Sequence, residues 1–187
     1  MFTKISISNI LIIISLFFTV LLYKYPEISV FGMNSFYLDQ GKYHIYFLQF
    51  FTSTFLHGGI IHFLSNALFI FIFGNTVELI IGKRNYLIFY IFSVFFIGLG
   101  LTFLGEGNTI GISGFCMATL AYYTLKLKSI KNPDYKGGIT AMVINVGIGF
   151  YPGISLFGHL FGVIAGVIFY YLLKDFLKRA LIPIEET

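Results

Sequence analysis

Gly158-His159-Leu160-Phe161-Gly162-Val163-Ile164-Ala165-Gly166 places a histidine and three glycines at four-residue spacing inside an apolar run that extends over residues 154–173. At about 1.5 Å of rise per residue, such a run makes a helix of about 30 Å, the thickness of a bilayer's hydrocarbon core. Glycines four apart form a groove of small residues along one face and let a neighbouring backbone approach closely. His159 precedes Gly162 by three positions and Gly166 by seven, so its imidazole shares that side of the helix.

The rest of the chain fits the same solvent. Of its 187 residues, 57% are hydrophobic and 20% aromatic, and only 11% carry a charge, against roughly a quarter charged in soluble domains. Mean hydropathy is +0.87 and the pI about 9.1. The basic residues stand singly or in small groups between apolar runs, which suits a topological role and argues against a nucleic-acid partner. A single cysteine, Cys116, excludes an internal disulfide.

Five further apolar segments are expected to span the membrane, over residues 5–23, 59–81, 86–104, 113–127 and 138–151. The first has no small-residue cleavage site before Lys24-Tyr25-Pro26 and reads as a retained helix. Residues 24–56 mix charges with Tyr37, Tyr43, Tyr46, Phe47, Phe50 and Phe51. They are expected to form a long, irregular interfacial loop, with His44 a solvated loop residue. Together residues 1–187 read as one six-helix membrane domain.

With the N-terminus inside, ten of the 12 basic residues fall on the inner side and only Lys24 and Lys42 on the outer. That asymmetry predicts cytoplasmic termini. His57 at the entrance to the second span, His62 and Asn66 on it, Ser113 on the fourth and His159 on the sixth then all lie near the outer surface. Polar groups inside a membrane are costly, and three separate segments delivering them to one layer points to function.

The fourth span is short, about 15 residues or roughly 22 Å. If lysines pin its inner end, Ser113 starts a helix in a recess, reached by irregular backbone that only a protein-lined or wet cavity tolerates. Gly111 reads as the bend that lets the loop descend, and Gly114, Ala118 and Ala121 offer a small face to the groove of the sixth span. Packed together, these helices bring Ser113 and His159 within reach, as a serine nucleophile and its base require. None of the eight acids falls in the outer half of a span, so a Ser-His dyad is favoured over a triad. His62 and Asn66, four apart and both donors, join the Ser113 N–H as a candidate oxyanion hole.

The order His57-x4-His62-x3-Asn66, Gly111-Ile112-Ser113-Gly114, then Gly158-His159-x2-Gly162-x3-Gly166 resembles the rhomboid intramembrane serine proteases of compact bacterial type. That resemblance implies a six-helix bundle, Ser113 as nucleophile, His159 as general base then acid, and His62 with Asn66 on the oxyanion. It further implies transmembrane protein substrates, no metal or cofactor, and a bacterial inner-membrane location with the site open to the extracytoplasmic side. Gly74-x3-Glu78 also matches, with Glu78, Gly162 and Gly166 structural and His57 shaping the first loop; the short fifth span is the implied gate for substrate. Leu48 and Gln49 stand where many members have a Trp-Arg pair, and Met117 where several have a tyrosine. A pseudoprotease that binds membrane segments without cutting them is the alternative. A transporter would want ion-coordinating groups along a path, which the inner halves of spans four to six lack.

Overall fold

The computed structural model describes residues 6–105 and 107–180, the last three as backbone only. Lys4, Glu106, Glu185 and Glu186 lie outside the described residues, as do the side chains of Lys178 and Arg179. Eight α-helices are described: α1 (Ile7–Lys24), α2 (Phe36–Asp39), α3 (Tyr43–Phe55), α4 (Ile60–Phe69), α5 (Asn75–Leu104), α6 (Ser113–Ser129), α7 (Tyr135–Ile148) and α8 (Leu156–Ala180). A π-helical turn at Ile70–Gly74 joins α4 to α5. By length and composition, the helical stretches Ile7–Lys24, Ile60–Leu104 and Leu156–Leu177 are apolar enough to cross a membrane.

The 45-residue stretch is not straight. Gly82 leaves the helical region, at φ 78° and ψ 156°. The Tyr86 hydroxyl lies beside Gly74, although twelve residues of continuous helix would separate them by about 18 Å. The chain therefore folds back at Gly82 into two apolar helical arms.

The first helix is fixed by a distant carboxylate. Ser6 caps it by accepting from the Asn9 N–H at 3.0 Å. Glu78 accepts from the N–H groups of Ile7 and Ser8 and from the Ser8 hydroxyl, each at 2.9 Å. These are first-turn donors without intrahelical acceptors, and the negative charge sits at the favourable end of the helix dipole. In Glu78→Ala the donors stay buried and unmatched, a cost of about 1–3 kcal/mol. The detergent-solubilised protein is then expected to melt several degrees lower, and an unchanged melting temperature would refute this role.

The connection between α1 and α4 differs from the irregular loop expected. It contains a 3₁₀ segment, Pro26–Phe31, and the thirteen-residue helix α3, whose buried face is Tyr46, Gln49, Phe50 and Ser53. Two of these four are polar, so the face does not read as an apolar stripe. His44 is exposed as expected, but on the first turn of α3. Met33 pairs with Thr109 in a single antiparallel bridge, which ties this region to the loop before α6.

Helix ends also shift. The fifth apolar segment is helical over Tyr135–Ile148, three residues earlier at each end than expected, directly after a turn in which Asn132 Oδ1 accepts from the Asp134 N–H at 2.9 Å. Helix α8 starts two residues later and continues past Lys174 to Ala180. Lysine stops a helix from being apolar without stopping it from being a helix.

The core lies where α6 meets α5 and α8. Phe89 stacks on Phe169 at 4.5 Å between ring centroids, and Phe115 takes the edges of Tyr86, Phe89 and Tyr90 at 5.1 to 5.6 Å. Eleven of the 17 residues of α6 are buried, making it the central helix; α7, in contrast, buries none.

Candidate active site

The seam between α6 and α8 sets the positions of Ser113 and His159. A Cβ added at Gly162 would run into the Gly114 carbonyl oxygen and lie 3.0 Å from the Met117 Cβ; one at Gly166 would run into the Ala118 carbonyl oxygen. At the upper end of the seam, the Gly158 carbonyl oxygen lies 3.0 Å from a Cβ built on Gly114. The glycines of α8 thus seat directly on the backbone of α6. Ser113 and His159 each adjoin this contact by one residue.

Ser113 is the first residue of α6, half-buried, with Ile112 at the cap position. Its N–H is one of the first-turn donors that no helix carbonyl reaches. Gly111, at φ 118°, turns the loop into the helix, and its N–H donates to the Ser53 carbonyl of α3 at 2.8 Å. An L-residue rarely adopts that φ. A Cβ there would also lie 2.8 Å from His62 Nε2 and 3.6 Å from Asn66 Nδ2. The two donors of α4 thus converge on the space in front of Gly111, two residues before the serine.

His159 is 8% exposed, and its Nδ1 lies 2.7 Å from the backbone carbonyl of Asn145 on α7. A carbonyl only accepts, so Nδ1 carries the proton and Nε2 presents a lone pair. This is the tautomer that a general base for a hydroxyl needs. Among the described residues no hydrogen bond joins Ser113 to His159, and the Ser113 hydroxyl has no protein partner.

The Asn66 carboxamide is oriented by a residue the sequence did not single out. The buried Cys116 thiol points at Asn66 Oδ1 from 3.8 Å and at its main-chain oxygen from 3.7 Å. With Oδ1 facing the thiol, Nδ2 is the atom left toward Gly111. His57, 2% exposed, packs edge-on to His62 with centroids 5.0 Å apart. Burial, with His62 beside it, lowers its pKa to about 4 against the opposing pull of the Phe55 carbonyl, so it is neutral at pH 7. Beside Ser113 a cavity of about 30 Å³ opens between α3, α5 and the loop, lined by Phe50, Ser53, Val94, Ile97 and Leu101 among others. His57 does not line it.

A family model described as the rhomboid domain matches residues 45–176, more than two thirds of the chain. The chain belongs to the rhomboid family. No curated protein matches it. Rhomboids are, in general, intramembrane serine proteases, and this one is an integral membrane protein of all-helical fold.

In this rhomboid the first loop is anchored without the Trp-Arg pair. Gln49 is fully buried and its Nε2 donates to the Val30 carbonyl at 3.0 Å, while the Thr52 hydroxyl donates to the Phe31 carbonyl at 2.8 Å. Leu48 is half exposed and takes no part. Met117 is buried against Gly162, one turn below His159. Among the described residues no cluster of three or more histidines, cysteines or acids could hold a metal ion.

Proposed function

We propose that this rhomboid is an active intramembrane serine endopeptidase that cuts single-span membrane proteins in or near their transmembrane segments with a Ser113–His159 dyad. The observation that carries the reading is the fixed tautomer of His159. A carbonyl holds Nδ1–H at 2.7 Å, so Nε2 is the proton acceptor at the end of the α6–α8 seam where Ser113 begins its helix.

In the reaction, Ser113 Oγ attacks the scissile carbonyl as its proton passes to His159 Nε2. The negative oxygen forms in front of Gly111, where Asn66 Nδ2, His62 Nε2–H and the Ser113 N–H donate to it. His159 returns the proton to the leaving amine, and an acyl ester remains on Ser113. A water then gives its proton to His159, attacks the ester, and releases the carboxylic acid with Ser113 restored. The role a triad gives to an acid falls here to the Asn145 carbonyl, which orients the imidazole without adding charge. No metal or cofactor enters the scheme.

The membrane arrangement belongs to the same proposal. Helices α1, α4 with residues 75–81, residues 83–104, α6, α7 and α8 make six passes, both termini lie in the cytoplasm, and the site opens to the other side. The positive-inside distribution of ten against two basic residues supports it.

The missing Ser113–His159 hydrogen bond favours a second reading, a pseudoprotease that binds membrane segments and leaves them intact. Catalytic hydrogen bonds are often long before substrate arrives, so the bond's absence does not decide. A fluorophosphonate probe does, because it needs the activated serine. Labelling of folded protein at Ser113, verified by peptide mass spectrometry and lost in His159→Ala, is expected. Folded protein that stays unlabelled would give the case to the pseudoprotease.

A further inference from the structure

The loop that delivers Ser113 is held from outside the two helices it joins. Met33, in the connection between α1 and α4, exchanges both main-chain hydrogen bonds with Thr109, at 2.8 and 3.0 Å. Side chains close the same contact. Asn108 Nδ2 donates to the Ser29 carbonyl at 2.6 Å, and Asn108 Oδ1 accepts from Asn34 Nδ2 at 2.9 Å. Asn34 also donates to the Gly32 carbonyl at 3.0 Å, and its Oδ1 accepts from the Phe36 N–H at 3.0 Å. Each amide nitrogen meets oxygens that only accept, so both carboxamides have a single orientation.

Gly32 makes the fit possible. It is buried, and its φ of −70° suits any residue, so room is what constrains it. A Cβ there would run into Asn108 Oδ1 and lie 2.6 Å from Ile110 Cγ2. Without one, residues 107–110 lie directly on the first connection. Only Ile110, Gly111 and Ile112 separate this clasp from Ser113. Among them, Gly111 donates to the Ser53 carbonyl of α3 at 2.8 Å, so the same connection grips the loop at a second point. Among the described residues, every hydrogen bond from 107–111 to another element ends in the α1–α4 connection. Gly111 is also the residue that His62 and Asn66 approach. The α6–α8 seam fixes the helix that Ser113 opens, and the connection fixes the loop wall that faces the donors of α4.

We infer that this clasp holds the serine's loop in register with the oxyanion donors, making Asn34 and Asn108 positioning residues for the proposed cleavage. Asn108 is exposed and Asn34 half-buried. Solvent can satisfy the groups that either truncation leaves behind, so global stability changes little and the rate carries the effect. The positioning role rests on the Ser113–His159 chemistry proposed above; the clasp itself does not.

Hydrogen exchange of the full chain in detergent reads the clasp independently of activity. In Asn108→Ala the amides of Met33 and Thr109 are expected to exchange about tenfold faster, with α8 unaffected, and unchanged exchange at both would overturn the clasp. On a single-span substrate, Asn34→Ala and Asn108→Ala are each expected to lose about fivefold in kcat with KM unchanged, and the double variant to be no slower than the worse single one. Losses that multiply would refute a shared device. A reversible test follows from the register. Residues 34 and 108 flank the Met33–Thr109 pair on antiparallel segments, where facing Cα atoms stand about 4.5 Å apart, within the range a disulfide spans. In the Asn34→Cys, Asn108→Cys double variant, oxidation is expected to restore most of kcat, and a thiol reductant to return it to the Asn108→Ala level. Equal rates in the two states, with the cross-link verified by peptide mass spectrometry, would overturn positioning; a folded double variant that cannot form the bond would overturn the register. If the wild-type protein neither cleaves nor takes up the fluorophosphonate, the protease reading fails and the positioning role with it, while hydrogen exchange still decides the clasp.

Discussion

Ser113→Ala is expected to abolish cleavage of a single-span substrate, lowering kcat/KM by about 10⁴-fold or more, while the melting temperature stays where it was. The split follows from the structure. The Ser113 hydroxyl makes no hydrogen bond to the described protein, so removing it leaves nothing buried unmatched. His159→Ala is expected to lose activity to a similar degree but also to melt lower, because it vacates a site of 8% exposure and strands the Asn145 carbonyl. Residues that act as one unit are not additive, so the double variant should be no slower than the worse single one. A Ser113→Ala protein that still cuts at the same bond would end the dyad assignment.

The second large effect is expected from a single methyl group that touches neither Ser113 nor His159 directly. In Gly162→Ala the new carbon meets the Gly114 carbonyl oxygen, which is main chain and cannot rotate away. Helices α6 and α8 must part, and the parting carries Ser113 and His159 with it. A misplacement of about 1 Å can cost on the order of 100-fold in rate, and overpacking adds about 1–3 kcal/mol of destabilisation. Gly137→Ala on α7 is the matched control. There the added carbon has nothing within 4 Å, and helix propensity alone would stabilise by about 0.5–1 kcal/mol. Opposite signs for the same chemical change, read by melting temperature and by cleavage rate, are the expected result. Full activity in Gly162→Ala would mean that the seam does not set the dyad's geometry.

That seam is also the part of the fold most legible in the sequence. Glycine spacing on one helix and Gly114 and Ala118 on the other specify which faces meet, because only backbone is left to touch there. The apolar runs are legible for a similar reason, since hydropathy reports the solvent directly. Helix α3 is not, because its buried face carries Gln49, whose amide donates to the Val30 carbonyl of a distant loop, and Ser53, whose main-chain carbonyl accepts from the Gly111 N–H. Nor is the partner of His159. A main-chain carbonyl has no letter of its own, so Asn145 leaves no trace as a functional residue. Cys116 is hidden differently, as one more small residue in a buried helix whose importance lies in the amide it faces.

The Asn145 carbonyl belongs to α7, the one long helix that buries no residue of its own. The group that selects the histidine's tautomer is therefore carried by a helix without a buried residue. Displacing α7 removes the acceptor from Nδ1 and frees the imidazole to exchange its proton between nitrogens. On the proposed mechanism, a displaced α7 and a fixed His159 tautomer exclude each other.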